Sequence, residues 1–160
     1  MPMKQKITPC LWFDGQAEEA INHYISIFKD GRIIDVTRCG DAGPGPKGSV
    51  LVATFELLGQ QFIALNGGPH FKFNEAISLS VDCKSQGEVD ELWQKLSAGR
   101  SKSQCAWLKD KFGLSWQIVT SRLVELMQDP DPAKSKRVVE AMMQMTKIDI
   151  AKLEAAYAGR

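Results

Sequence analysis

A faint internal repeat is the feature that most constrains the fold of this chain. Residues 11–14 resemble residues 79–82, and each stretch is followed by apolar residues at helical spacing. The matching positions lie about 69 residues apart. Both halves read as a strand, a helix and then further strands, so the sequence predicts two copies of one structural unit.

The first half contains one helix and four strands by its apolar pattern. Residues 7–13 predict a strand, and residues 16–28 predict a helix because apolar side chains recur there at helical spacing. Gly31 is expected to end that helix. Residues 33–38 predict a short strand, and residues 49–57 and 60–65 predict a hairpin that turns at Leu58 and Gly59.

The second half repeats this order. Residues 75–82 predict a strand, and Ser85 with Glu88 forms a capping box before a helix that runs through Leu96. A polar loop is expected over residues 97–103, followed by strands near 104–109 and 114–120.

The tail reads as helical and separate in character. Asp131 is a candidate N-cap, and Pro132 suits the first helical position. Met142 and Met145 share the apolar face of this helix, which indicates either core packing or a contact between subunits. Residues 147–157 predict a last helix.

Composition excludes several classes of function. The chain has 160 residues, 44% of them hydrophobic, and a net charge of +1, which gives no electrostatic case for binding nucleic acid or an anionic membrane. Residues 1–7 do not resemble a signal peptide, and no stretch approaches the length of a membrane span. The four scattered cysteines favour reduced thiols and a cytoplasmic protein.

Two stretches point to a small-molecule cavity. Residues 65–73 end a strand on two glycines and a proline, and then present His70, Lys72 and two aromatic rings. Residues 105–117 have a similar mixture of aromatic and polar groups. His70 is either a functional imidazole, as a hydrogen bonder or acid–base group, or a structural turn residue.

Residues 43–48 match the dinucleotide pattern Gly-x-Gly-x-x-Gly only formally. Pro44 and Pro46 remove N–H groups that would face a phosphate, and a strand follows where that motif needs a helix. No other glycine-rich turn leads from a strand into a helix. The sequence therefore predicts no nucleotide or S-adenosylmethionine site of the Rossmann kind, and no cofactor.

Residues 7–20, 65–73 and 107–117, with the tail at 129–134 and 141–145, resemble the PhnB-like branch of the vicinal oxygen chelate superfamily. Glyoxalase and bleomycin-resistance proteins are its wider relatives. The resemblance implies an α+β fold of two βαβββ-like modules with curved mixed sheets, usually in a homodimer. Applied here, it implies a single domain over residues 1–160, with modules at about 5–68 and 74–120 and a helical tail at about 121–158.

The resemblance also bears on metal binding. Metal-dependent relatives carry one ligand on the first strand and one on the last strand of each module. In this chain those positions fall near Pro9, Ala64, Ala76 and Gln117. Only Gln117 offers a donor atom, and a divalent ion needs several converging ligands, so no metal site is expected. Members of this branch are often described as demethylubiquinone methyltransferases, a chemistry that these residues do not suggest.

The resulting hypothesis is a metal-free protein that binds a small organic molecule. If the strands alternate as the pattern predicts, seven residues share the face of the mapped ligand positions: Leu11, Phe62, Asn66, Ser78, Ser80, Ser115 and Gln117. His70, Phe71 and Phe73 are expected at the cavity rim or against a neighbouring subunit. The alternatives are a lyase- or isomerase-like enzyme with His70 as its acid–base group, and a protein that acts through its dimer surface.

Overall fold

Short strands and amphipathic helices alternate along the chain. The computed structural model describes residues 5–98 and 104–160, and the chain divides into two units, Met1–Phe73 and Asn74–Arg160. Unit 1 contains β1 (Cys10–Phe13), α1 (Ala17–Phe28), β2 (Gly31–Arg38), β3 (Val50–Leu57) and β4 (Gln60–Asn66). Unit 2 contains β5 (Ser78–Cys83), α2 (Gln86–Ser97), β6 (Trp107–Lys109), β7 (Ser115–Thr120), α3 (Ser121–Met127), α4 (Pro132–Met143) and α5 (Ile150–Tyr157).

Unit 1 is a four-stranded mixed sheet with α1 packed on one face. The strand order is β1-β4-β3-β2, in which β1 runs parallel to β4 and the other pairs are antiparallel. The β3–β4 hairpin turns at Leu58 and Gly59, both with positive φ, as the sequence predicts. Helix α1 ends at Phe28, as predicted, but the left-handed residue that ends it is Lys29, and Gly31, the expected terminator, already begins β2.

Unit 2 builds a smaller mixed sheet in the same way. The order is β5-β7-β6, with β5 parallel to β7 and β6 antiparallel to it, and α2 packs on the sheet. The capping box at the start of α2 is present. The Ser85 hydroxyl accepts from the Glu88 N–H, while the Glu88 carboxylate accepts from the Lys84 N–H, one residue earlier than in the standard motif.

The tail is part of the core of unit 2, and core packing is one of the two alternatives that the sequence leaves open. Ile148 and Leu153 are fully buried. The Gln86 side chain of α2 donates to the Ile148 carbonyl and accepts from the Ile150 N–H. Met145 is buried as well, so this methionine packs inside unit 2 and is not available for a subunit contact.

Several boundaries differ from the sequence expectations. Strand β6 begins only at Trp107, because Cys105 and Ala106 have positive φ and cannot continue a strand. The predicted strands at residues 7–13 and 75–82 both begin three residues later than expected. Helix α3 is a separate element that the sequence pattern does not predict. The predicted polar loop falls largely on residues 99–103, which lie outside the described residues.

The fold class predicted from the sequence is confirmed: an α+β protein with two curved mixed sheets and five helices. Within the described residues, no helix is long and apolar enough to cross a membrane.

Candidate functional site

Helix α1 covers one face of the unit 1 sheet, and the residues on that face form the core. Tyr24 of α1 stacks on Phe55, and Phe55 stacks on Phe62 with ring centroids 5.4 Å apart. Strand pairing places Leu11 opposite Ala64, on the same face as Phe62. Leu11 and Phe62 are therefore core residues beneath α1, and their expected place on an open ligand face is wrong.

Asn66 lies on that same face, at the end of β4, and has a structural role. Its side-chain oxygen accepts from the Ala17 N–H at 2.9 Å, at the first residue of α1. Its amide nitrogen donates to the Val50 carbonyl of β3 at 2.8 Å. The sequence predicts Asn66 as a ligand contact, but it does not show that the oxygen and the nitrogen of this amide are both bonded to the backbone of unit 1.

Unit 2 presents a different arrangement, in which the predicted polar residues share the face opposite α2. Ser78 pairs with Ser115 and Ser80 pairs with Gln117, so the four side chains lie in two adjacent rows. The intervening residues Leu79, Trp116 and Ile118 form the other face, on which α2 packs. We refer to Ser78, Ser80, Ser115 and Gln117 as the polar cluster.

Ser115 is the unusual member of the polar cluster. Its side chain is fully buried, yet its hydroxyl has no hydrogen-bond partner among the residues that the structure describes. Nearby, the Gln117 amide nitrogen donates to the Ser78 hydroxyl at 2.9 Å, and this bond leaves the amide oxygen available as an acceptor. Buried polar atoms without a partner are rare in native proteins and call for an explanation.

Strand β6 completes the surroundings of the polar cluster. Trp107 pairs with Gln117, and Lys109 pairs with Ser115, so an indole ring and an ammonium group flank the two rows. Lys109 forms an ion pair with Glu75. The hydrogen bond that the Lys109 ammonium donates to the Glu75 carboxylate holds the pKa of that carboxyl below its usual value. The lysine charge is therefore compensated within unit 2.

A cavity of about 550 Å³ lies in unit 1, beyond the ends of β1 and β4. Because these strands are parallel, their carboxyl ends and the loop between β2 and β3 meet at one edge of the sheet. Three short segments line the cavity: Asp14 and Gly15; Cys39, Pro44, Gly45, Pro46, Ser49 and Val50; and Asn66, Gly67, Gly68, Pro69 and His70. The run at residues 65–73 thus borders a cavity, with His70 in its wall.

Phe71 and Phe73 do not line this cavity. The Trp12 indole donates to the Gly68 carbonyl at 2.9 Å and meets the Phe71 ring edge-on at 4.9 Å. Phe73 packs edge-on against the buried Phe13 at 5.4 Å. The two rings therefore hold the segment after β4 against β1, and their expected place at a ligand cavity's rim or against a neighbouring subunit stays a prediction.

Sequence reasoning missed Asp14, Cys39 and the loop at residues 40–49 as cavity residues. The glycine pattern of that loop suggests only a phosphate cradle, which its prolines exclude. The strand order could have predicted the cavity. The turns after β1, β2 and β4 all lie at one edge of the sheet, where loops commonly form binding sites.

Two thiols are poor nucleophile candidates. Burial, assisted by the Glu88 and Asp82 charges, raises the pKa of Cys83 to about 12. Partial burial also raises the pKa of Cys10. Both side chains therefore remain protonated at neutral pH, which excludes them as ready thiolates.

The donor set does not fit the metal that a chelate fold implies. Ala64, at one mapped ligand position, is fully buried in the core, and the polar cluster offers only hydroxyls and an amide. Among residues 5–98 and 104–160, no three His, Cys, Asp or Glu side chains are grouped closely enough to hold a metal ion. Divalent ions prefer imidazole, thiolate or carboxylate ligands, so these residues support no step through a metal.

Two curved mixed sheets, each covered by one helix, define a protein of the vicinal oxygen chelate fold. Within that class, the chain belongs to the family described as 3-demethylubiquinone-9 3-methyltransferase, whose model matches residues 5–119, and to its PhnB-like branch.

Solved structures agree with this assignment. The chain is similar to a PhnB protein from Bacillus cereus, with 38% identity over 72% of this chain and 99% of that one, and a TM-score of 0.67. The protein PA1353 from Pseudomonas aeruginosa shares the fold at 23% identity, with a TM-score of 0.58 over 71% of this chain and 95% of that one. A comparison with curated proteins finds no match.

The family description names a methyl transfer, and a methyl donor of the S-adenosylmethionine type needs a nucleotide cradle. The glycine-rich run at residues 43–48 leads into strand β3, and Pro44 and Pro46 lack N–H groups. These residues do not fit that donor, and they support no methyl-transfer step.

Proposed function

We propose that this protein binds a small organic molecule without a metal ion, at the polar cluster of unit 2. The buried, unpartnered hydroxyl of Ser115 carries the proposal. Leaving a buried hydroxyl unpaired costs about 1–3 kcal/mol of stability, and a ligand that supplies the missing partner recovers that cost on binding.

The chemistry of the cluster indicates a neutral or weakly polar ligand. Ser115 can donate to the ligand, and the Gln117 amide oxygen can accept from it. Trp107, which pairs with Gln117, offers an aromatic surface for stacking. Lys109 is compensated by Glu75, so the cluster offers no free charge to attract an ion.

Replacing Ser115 by alanine is expected to stabilise the ligand-free protein by about 1 kcal/mol, since the substitution removes an unpaired buried hydroxyl. Urea denaturation followed by tryptophan fluorescence measures the free energy of unfolding. Ser80→Ala is the matched control on the same face, where the side chain is exposed and a change within about 0.5 kcal/mol is expected. A loss of more than about 1 kcal/mol for Ser115→Ala would show that the hydroxyl is satisfied in the free protein.

Native mass spectrometry of protein purified without chelator or metal-affinity tag tests the proposal directly. We expect a dimer that carries a noncovalent organic adduct and no stoichiometric Zn, Ni, Mn or Fe. The adduct should be weakened by Ser115→Ala and by Gln117→Ala, and retained by Ser80→Ala. A stoichiometric metal that is lost on changing Gln117, or a protein of 17.7 kDa alone with no adduct, would contradict it.

The proposed dimer has support in the exposed edge of the unit 1 sheet. Strand β2 is one of the two outer strands, and its residues Ile33, Ile34 and Val36 are each exposed by about 40%. An apolar edge strand is a surface that a second copy can cover. We also propose a cytoplasmic location, for which the four free thiols are the support.

A lyase- or isomerase-like enzyme is the second candidate, and one observation favours it. His70 is exposed in the wall of the unit 1 cavity, where an imidazole can exchange a proton with a bound molecule. Under this candidate, the molecule recovered from His70→Gln should differ from that of the wild type, in mass for a lyase and in chromatographic retention for an isomerase, because the unconverted substrate accumulates. A recovered molecule with unchanged mass and unchanged retention favours the binding protein.

A further inference from the structure

We propose that the cavity of unit 1 is a binding site of its own for a protonated amine on a small organic molecule. This site shares no residue with the polar cluster and does not depend on the function proposed for that cluster. The cavity volume of about 550 Å³ lies within the range of small-molecule sites.

The hydroxyl and amide donors in the cavity wall already serve the fold. The Ser49 hydroxyl donates to the Pro46 carbonyl at 2.6 Å, and the Asn66 amide donates to the Val50 carbonyl at 2.8 Å. The backbone N–H of Gly67 donates to the Phe13 carbonyl at 3.0 Å. Apart from the His70 imidazole, this wall therefore offers few donors to a ligand.

The cavity wall does contain a free hydrogen-bond acceptor, the carboxylate of Asp14. Asp14 is the one Asp, Glu, Lys or Arg side chain among the lining residues, and its carboxylate is exposed. No hydrogen bond or ion pair joins this carboxylate to the part of the chain that the structure describes. A carboxylate accepts hydrogen bonds only, so its natural complement is a ligand that donates and carries positive charge.

An anionic ligand is disfavoured on two counts. The Ala17 N–H at the start of α1, which would otherwise attract an anion, donates to the Asn66 side chain at 2.9 Å. Arg38 lies outside the wall, and its guanidinium is held by Glu18 at 3.1 Å and by the Gly48 carbonyl at 3.0 Å. Neither group is free to compensate a negative charge in the cavity.

The remaining wall suits the organic part of such a ligand. Three proline rings and one valine present apolar surface, and glycines let a ligand approach the backbone closely: Pro44, Pro46, Pro69, Val50, Gly45 and Gly68. The site therefore combines one carboxylate with apolar walls, the usual elements of an amine-binding pocket.

Titration of the ¹⁵N-labelled full chain with three matched probes tests this proposal: benzylamine, benzyl alcohol and benzoate. We expect benzylamine to shift the amide resonances of Gly15, Gly68 and His70 saturably, and to bind more tightly than the other two probes. Asp14→Asn should weaken benzylamine binding about fivefold, the size of a partly exposed ion pair. Asp14→Glu, which keeps the charge, should restore most of the affinity.

Asp35→Asn is the matched control, since it removes the same charge from β2 outside the cavity wall. Benzylamine affinity should be unchanged in that variant and should fall with added salt in the wild type. Benzoate binding as tight as benzylamine, equal losses in the Asp14 and Asp35 variants, or shifts confined to residues outside the wall would each overturn the proposal. These outcomes leave the polar cluster of unit 2 untouched, so they are distinguishable from failure of the binding function proposed above.

Discussion

Replacing Asp110 by alanine is expected to lower the free energy of unfolding by roughly 3–5 kcal/mol. Asp110 is fully buried in the turn between β6 and β7. One carboxylate oxygen accepts from the N–H groups of Phe112 and Leu114, and the other accepts from the Trp116 indole at 2.9 Å. Alanine would remove the acceptor of all three hydrogen bonds, of which those from Leu114 and Trp116 are buried, so unit 2 loses the group that fixes its turn.

Asp110→Asn separates the loss of charge from the loss of acceptors. The single side-chain oxygen of asparagine can still accept from the two backbone N–H groups. Its NH₂ group would face the Trp116 N–H, and two donors cannot form a hydrogen bond with each other. We expect roughly half of the alanine effect. Urea denaturation gives the free energies, with Asp41→Ala as the control at an exposed acid in a loop.

If Asp110→Ala does not fold, an NMR spectrum of the asparagine variant shows whether the Trp116 indole resonance has moved. A loss below about 1 kcal/mol for alanine, or an unmoved indole resonance in the asparagine variant, would refute the role assigned to this carboxylate.

The same turn shows why a local mixture of aromatic and polar residues is a poor guide to function. By composition alone, residues 105–117 suggest a pocket lining, as residues 65–73 do. Trp116 and Asp110 instead bond to each other in the core. Of that stretch, Ser115 and Gln117 belong to the polar cluster, and Trp107 and Lys109 flank it. Local composition does not distinguish a buried hydrogen-bond network from a binding surface, because both need the same residue types.

The amphipathic elements are predictable because their two faces differ in sequence. Helices α1 and α2 and the β3–β4 hairpin lie close to where the apolar spacing places them. Strand β1 gives no such signal, since Leu11, Trp12 and Phe13 are all apolar and do not alternate with polar residues. A shift of one residue exchanges the faces of a strand. The ligand face predicted through Leu11 and Phe62 is therefore the core face.

The tail illustrates a second limit of prediction from local sequence patterns. The spacing of Met142 and Met145 predicts one helical face, but α4 ends at Met143, and Met145 is buried beyond the end of the helix. The contacts that hold the tail include bonds to distant sequence positions, such as those of Gln86 to Ile148 and Ile150. Pairing over more than 60 residues is not visible in the local pattern.

Replacing Gly67 by alanine is expected to destabilise unit 1 by roughly 3 kcal/mol, at the upper end of what overpacking usually costs. A Cβ at this position would clash with three atoms of the Trp12 ring. The indole cannot simply step aside, because its N–H is bonded to the Gly68 carbonyl at 2.9 Å and its ring meets Phe71. Relieving the clash therefore breaks the contacts that hold the cavity segment against β1.

Gly87→Ala is the matched control for this substitution. Gly87 lies in the first turn of α2, where an added Cβ meets only the Ser85 hydroxyl at 3.9 Å. Alanine should stabilise that helix by up to about 1 kcal/mol. Urea denaturation measures both variants, and the Gly67 variant should also lose benzylamine binding, since Gly67 and Gly68 line the amine cavity. If both glycines tolerate alanine equally, Trp12 is free to move, and the cavity wall is not held in the way these contacts indicate.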